Sequence, residues 1–430
     1  ADGVLEFTFI GYQSAEMPIA GKTQVDAILK EGQAIEEVIV MAFGTAKKEA
    51  FTGSATVVSA DELATSQVSN AMNALNGKVA GVQMSNASGE PGSDSPTIRI
   101  RGFSSINASQ APLVVLDGIP YSGSMNNINP ADIESMSVLK DASSTSIYGA
   151  RAANGVIVIT TKRGRNMDRP NINYRMQMGW SAIAAGKWDL MNTQERIQYE
   201  KEIGMTAGQD YAYLAKTDVN WMDVVFNDNA MLQSHEVSVS GATDKTNYYL
   251  SGGYYDQQGI APGSLFERYS MRFNFEQQMA DWFRMGTNTM FNFQNIEQAD
   301  EGSYALVTPI SASRFMLPYW NPYNSDGSIA SINKGEWKGQ GQNPMEWIEN
   351  NPLSYKKYKV ISTAFAEFTL YRNLVFKSQF SVDFSHVTGF SQSFPSYLPN
   401  QGEGSASRNS SDGMNLQVTN TLTYRFDIDN

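Results

Sequence analysis

Few side chains in this sequence belong to the types that make or break bonds. Cysteine is absent, and the two histidines, His235 and His386, stand far apart. Disulfides, thiolate metal sites and cysteine nucleophiles are thereby excluded, and a histidine-rich metal centre is disfavoured. Asp300 and Glu301 are adjacent carboxylates, the residue type that cleaves glycosidic bonds in pairs. Neighbouring positions point in different directions, however, and nothing recognisable places the two around a substrate. Hydrolysis is rejected on that ground, and no enzyme is expected. The turn at residues 324–328 (NSDGS) is acidic but lacks the full ligand spacing of a calcium loop, so no metal or other cofactor is expected. What remains is binding chemistry. Tyr319, Trp320, Tyr323, Trp337 and Trp347, with Tyr355 and Tyr358, crowd one long segment. Flat rings stack on sugars or peptide side chains, and they serve equally to pack long loops against one another.

Composition narrows the setting for that chemistry. A formal net charge of -12 argues against a nucleic-acid partner. With 41% hydrophobic residues in 430, the chain can bury a core, and its length suggests two or three domains. No window approaches the roughly 18–20 consecutive apolar residues of a spanning helix, which excludes a helical membrane protein but not a β-barrel. The sequence starts at Ala1 with neither Met nor a secretory signal, so it is expected to be processed or truncated.

Three stretches must position these groups. Residues 1–34 hold short β-like runs (LEFTFIGY, EMPI, TQVDAILK) and read as the tail of a small β-sandwich. Residues 49–165 read as a compact α/β unit. It has a capping box at Ser59 and Glu62, a helix ended by Gly77, a hairpin turn at Asp117-Gly118, and a β-branched strand in GVIVITTKR. From 166 to 430 the period becomes two. In RYSMRFNFE, Tyr269, Met271, Phe273 and Phe275 oppose Arg268, Ser270, Arg272 and Asn274. Strands are placed near 172–183, 231–240, 246–256, 268–277, 282–293, 359–371, 374–386 and 413–426, the sixth alternating poorly. Their connections alternate between long and short, as in outer-membrane barrels, and Trp180, Tyr254, Tyr255, Trp282 and Tyr371 sit at strand ends as an interfacial girdle requires.

The second stretch resembles the plug of SusC-like TonB-dependent outer-membrane transporters. The matching blocks are IEEVIVMAFGTAKK (35–48), NALNGKVAGVQM (73–84), IRIRGF (98–103), PLVVLDGIP (112–120) and the long block at 128–164; residues 231–260 look like that family's early barrel hairpin. The resemblance implies four parts: the end of a carboxypeptidase-regulatory-like sandwich (1–34), a TonB box and linker (35–48), a plug (49–165) and the first part of a transmembrane barrel (166–430). The fold class is then an α/β plug followed by an antiparallel barrel, with about eight strands of an expected 22 or so. Eight strands enclose too little space for such a plug, so a fragment is expected.

The resemblance further implies that Glu37, Val38, Ile39, Val40, Met41, Ala42, Phe43 and Gly44 are the TonB box, a short extended run suited to adding a strand to a partner's sheet edge. In the plug, Arg99, Arg101, Arg151, Asp117 and Asp141, with Asp132 and Glu134, are candidates for contacts with a polar wall. Arg175, Arg268, Glu276, Arg284, Lys377 and Asp383 are the candidate partners on that wall. The expected function is TonB-dependent import of an oligomeric nutrient, glycan or peptide, across the outer membrane of a Gram-negative bacterium. The implied partners are TonB with ExbB and ExbD, a SusD-like surface lipoprotein as lid, the oligosaccharide or peptide itself, and outer-membrane lipid. A dimer of transporter–lid pairs is a family expectation. Alternatives are a lid-free transporter of another ligand class, and a non-energised surface binding protein or porin. The substrate itself is not readable.

Overall fold

The computed structural model describes residues 4–7, 15–18, 38–41, 44–47, 55–64, 70–86, 88–93, 96–103, 109–141, 145–164, 169–184, 186, 189–299, 307–393 and 404–424. Its contacts separate two units. One comprises residues 1–57, 104–121 and 136–160; the other comprises 58–103, 122–135 and 161–430.

In the first unit, β1 (Val4–Phe7) pairs antiparallel with β2 (Ala15–Pro18), and β3 (Val38–Met41) with β4 (Gly44–Lys47). The third expected run, TQVDAILK, lies outside the described residues, as do Glu37, Ala42 and Phe43 of the expected TonB box. β5 (Ala55–Ser59) edges a five-stranded sheet. Strands β6 (Val82–Ser85) and β7 (Thr97–Ile100) form a separate antiparallel pair. Then β8 (Leu113–Leu116), β9 (Ile119–Tyr121), β10 (Ile133–Leu139) and β11 (Val156–Thr161) complete the larger sheet in the order β5-β10-β11-β8-β9. The β8–β9 hairpin turns at Asp117 and Gly118, whose φ angles of 48° and 87° are those of a tight primed turn. β-Branched β11 lies parallel to β8. Val115, Leu139, Val156 and Val158 bury together as a core.

The second unit is dominated by one eight-stranded antiparallel sheet in sequence order. Its members are β12 (Asn171–Ser181), β13 (Ala230–Ala242), β14 (Thr246–Gln258), β15 (Leu265–Ala280), β16 (Phe283–Gln298), β17 (Leu353–Tyr371), β18 (Leu374–Ser393) and β19 (Ser405–Tyr424). All eight expected strands are present, several longer than expected. The connections between β13 and β14, β15 and β16, and β17 and β18 are two or three residues; the others are longer, from six residues between β14 and β15 upward.

Alternation gives this sheet two chemically different faces. Outward, one register line carries His235, Tyr254, Tyr269, Phe293, Tyr358 and His386 side by side on six successive strands. Neighbouring rings in this line lie 4.7–6.4 Å apart, and Tyr174 extends it by donating to or accepting from His235 Nδ1 at 2.9 Å. Towards the short turns, Trp282, Phe283, Phe368 and Phe376 form a second ring cluster. Phe293 and Phe283 are separated by about 34 Å of strand, or roughly 26 Å normal to a membrane at the usual tilt. Between the two bands the outward side chains include Met271, Phe273, Phe291, Phe384 and Leu416, all exposed. Two aromatic girdles bracketing an apolar band of that height are the signature of a wall facing lipid. No described helix is long and apolar enough to cross a membrane. Of the expected girdle residues, Tyr255 is a correction. It stands one position out of phase with Tyr254, so it faces inward and is only 6% exposed, beside Phe266.

Candidate functional site

Across the middle strands, β13–β17, the inner face of the same sheet is polar and largely buried, because segments of residues 58–103 and 122–135 lie against it. Pro130–Asp132 forms a single 3₁₀ turn. Asn129 caps it by accepting from the Ala131 amide, and Pro130 occupies the first position, where no amide hydrogen is needed. That turn delivers Asp132 to the wall at 3% exposure. Its Oδ1 accepts from the Tyr249 hydroxyl at 2.9 Å and from Ser251 Oγ at 2.5 Å, two residues that share a face because they are two apart on β14. Arg272 of β15 brings Nε to 3.8 Å from Asp132 Oδ2 and donates to Thr161 Oγ1 at 3.2 Å. Asn274, two residues on, donates to Thr161 Oγ1 and to the Lys162 carbonyl.

Further along the strands the same logic repeats. Arg268, 2% exposed, donates to the Asn126 carbonyl at 3.1 Å. On β16, Asn292 donates to the Asn127 carbonyl and Gln294 to Asn127 Oδ1, at 3.0 and 3.1 Å. Glu90 accepts from the Ala299 amide at 2.6 Å. Arg163 pairs with Glu276, which also faces Arg284 at 3.6 Å. A close apolar approach occurs at Gly92. It sits at φ 70° against Phe266, where a Cβ would come within 2.5 Å of the ring. Phe266 belongs to an inward collar with Leu232, Tyr255 and Ile296. The seam is therefore mostly hydrogen bonds and charge, with a small apolar collar.

The sequence candidates fare unevenly. Asp132, Arg268 and Glu276 are in the seam. Arg284 also binds Glu367 at 2.9 Å on the neighbouring strand, Lys377 lies over the Phe365 ring, and Asp383 pairs with Lys359, all within the wall. Arg175 stands opposite Glu236 in the β12–β13 register. Among the five plug residues carried forward, Arg99 lies over the Phe103 ring at 4.4 Å, Arg101 and Arg151 are exposed, Asp117 occupies the hairpin turn and Asp141 is half-buried; a wall contact for them stays a proposal. Sequence reading missed Tyr249, Ser251, Asn274, Asn292 and Gln294. The signal for them was the polar residue at every second position of β14–β16, which marks a face but not a partner.

The loop aromatics pack mainly on one another. Tyr319, Trp337 and Trp347 are buried at 6–8% exposure, and Trp320 bridges Tyr319 and Trp337 edge to face. Trp221, Val225, Met316 and Trp337 share one core. Burial, then the hydrogen bond that Tyr319 donates to Glu200 Oε1 at 2.8 Å, raises the Tyr319 hydroxyl pKa well above the ordinary tyrosine range. Glu200 lies on the helix Thr193–Glu202, closed at its start by a capping box between Asn192 and Glu195. Tyr323 is half-buried beside the 324–328 turn. There Asp326 accepts from the Ser328 amide and hydroxyl, and Glu336 accepts from the Ser331 amide and from Asn324. These acids are engaged locally, and the described residues hold no group of three acidic or histidine side chains suited to a metal ion.

A lipid-facing wall whose polar inner face holds parts of residues 58–103 and 122–135 is now defined. Residues 47–156 match the TonB-dependent receptor plug domain family. The TonB-dependent receptor SusC of Bacteroides thetaiotaomicron is 33% identical over 369 residues, covering 80% of this chain and 36% of that protein. The TonB-dependent receptor P26 of Formosa agariphila is 31% identical over 442 residues, covering 100% of this chain and 43% of that one. The RagAB peptide importer in its open-open state superposes with a TM-score of 0.80 at 32% identity, over 91% of this chain and 47% of the other.

The chain belongs to the SusC-like TonB-dependent receptors.

It spans less than half the length of the curated relatives it matches. In a SusC-like receptor the five-stranded sheet and its loops are plug, and β12–β19 are strands of an outer-membrane barrel whose lumen-facing side carries the polar seam. Its relatives are receptors and transporters rather than enzymes.

Proposed function

We propose that this SusC-like receptor imports an oligomeric nutrient across the outer membrane, energised through TonB with ExbB and ExbD and lidded by a SusD-like lipoprotein. The observation that carries the reading is the buried polar seam around Asp132. Hydrogen bonds and ion pairs are exchanged for water at small net cost, whereas an apolar interface of equal area resists separation. A plug held this way stays closed at rest and yields to a pull.

The pull would enter at residues 37–44. Val38–Met41 is an extended strand, the form a partner sheet can capture by edge addition. Its pairing with Gly44–Lys47 uses one edge and leaves TonB the other, or requires TonB to displace that partner strand. The cargo is an oligosaccharide or a peptide, and transporter–lid pairs assemble as dimers. Deletion of residues 37–44 from the full-length protein tests the function. Uptake is expected to vanish while cargo binding at the cell surface persists; unaltered uptake would remove energy coupling from the account.

A further inference from the structure

A cavity of about 440 Å³ opens between the 122–127 segment and the inner faces of β16–β18. Strand alternation builds it. Tyr355, Lys357 and Lys359 are two apart on β17, so all three face inward, at the strand end next to the long 299–352 connection. The lining contains two ammonium groups and, among the described residues, no carboxylate. Lys359 is buried and forms an ion pair with Asp383, which lies outside the lining. Lys357 is half-buried, its ammonium 5.8 Å from the centre of the Tyr355 ring. Most other lining groups are hydroxyls, amides and glycine backbone, with Ile296 and Val387 as the aliphatic side chains.

We propose that this cavity seats a carboxylate-bearing sugar unit of an oligosaccharide cargo, a reading that rests on the import function above. A lysine in a partly dried lumen forms a charge-assisted hydrogen bond with a carboxylate that water screens only weakly. The Tyr355 ring offers the apolar face on which a sugar ring stacks. Serine hydroxyls and the Asn127 and Gln298 amides both donate and accept, as sugar hydroxyls require. Two aliphatic side chains give little purchase to the apolar residues of a peptide. The volume falls within the range of small-ligand sites, about 300–1,000 Å³.

Calorimetric titration of the full-length transporter in detergent tests this. The probes are tetramers of galacturonate, glucuronate and mannuronate, neutral tetramers of the same lengths, and tetraglutamate. At least one uronate tetramer is expected to bind about tenfold more tightly than its neutral counterpart, with the margin shrinking in high salt. Lys357→Gln should abolish that margin without moving the melting temperature, and Lys357→Arg should restore most of it. Equal affinity for acidic and neutral sugars, binding of no uronate, or a margin that Lys357→Gln leaves intact overturns the proposal. Tighter binding of tetraglutamate than of every uronate overturns the sugar assignment. These measurements need no energy source, so their failure leaves the uptake test on residues 37–44 untouched.

Discussion

Asp132 joins three side chains of the wall to one turn of the plug, so it is where a single substitution should matter most. Asn in its place keeps an acceptor for Tyr249 and Ser251 but leaves the Arg272 guanidinium, 2% exposed, without its counter-charge. Breaking a buried pair from one side costs about 3–5 kcal/mol. Asp132→Asn should therefore speed hydrogen exchange in residues 125–135 while leaving β13–β16 protected; unchanged exchange would mean that the pair contributes nothing. A second residue-scale expectation concerns acid. Hydrogen bonding from the Ser331 amide and Asn324 holds the Glu336 carboxyl below the ordinary glutamate range, and bonding from Ser328 holds that of Asp326 below the ordinary aspartate range. Depressed carboxylates stabilise above their unfolded values and lose that contribution as pH falls through the folded ones. Protection against exchange across residues 324–336, after correction for the intrinsic amide rate at each pH, should accordingly fall below about pH 4 and stay constant between pH 6 and 8. A loss of protection confined to the neutral range would contradict this. Asp132 was legible as a plug carboxylate, but its partners were not, since period two states which face a residue takes and says nothing of what lies opposite.

At the scale of the strand, sequence carried most of the wall. Eight alternating runs with alternately long and short connections were enough to place every strand of the sheet. β17 read poorly for a reason now visible: its outward residues in the lower half are small (Ser362, Ala364, Ala366), while inward Phe365 lies under Lys377 and Arg284. The usual contrast is inverted there. The long 299–352 segment was legible only as aromatic-rich, because a packed loop core has no period. The lipid-facing assignment makes a directional prediction. Phe273→Arg, near the middle of the band between the two girdles on the outer face, should destabilise folding into bilayers by about 2–4 kcal/mol. Asn415→Arg, exposed on the inner face of β19 opposite Asp383, should cost far less by the same folding titration. Equal costs would mean that the two faces share one solvent.

For the molecule as a whole, the family was readable from plug motifs while the cargo was not, because binding groups such as Lys357 sit among ordinary strand residues. The absence of cysteine offers a clean test of movement. With cysteines at Asn127 and Gln294, which already touch at 3.1 Å, a short bis-methanethiosulfonate crosslinker should block uptake without affecting surface binding. Persistent uptake would place the moving part outside residues 122–135. The order of the seam along the chain also has a mechanical consequence. From Gly44 towards the C-terminus, the seam contacts described above come in the sequence Glu90, Asn126, Asn127, Asp132, then Thr161 to Arg163. A tether drawn from the N-terminal side loads them in series rather than all at once. Roughly 46 residues separate Gly44 from Glu90, with β5 and β6 paired between them. Once those strands are stripped from their partners, up to about 150 Å of extended chain is released before the Glu90 anchor takes tension. That length sets how far a motor must travel before the gate feels its stroke.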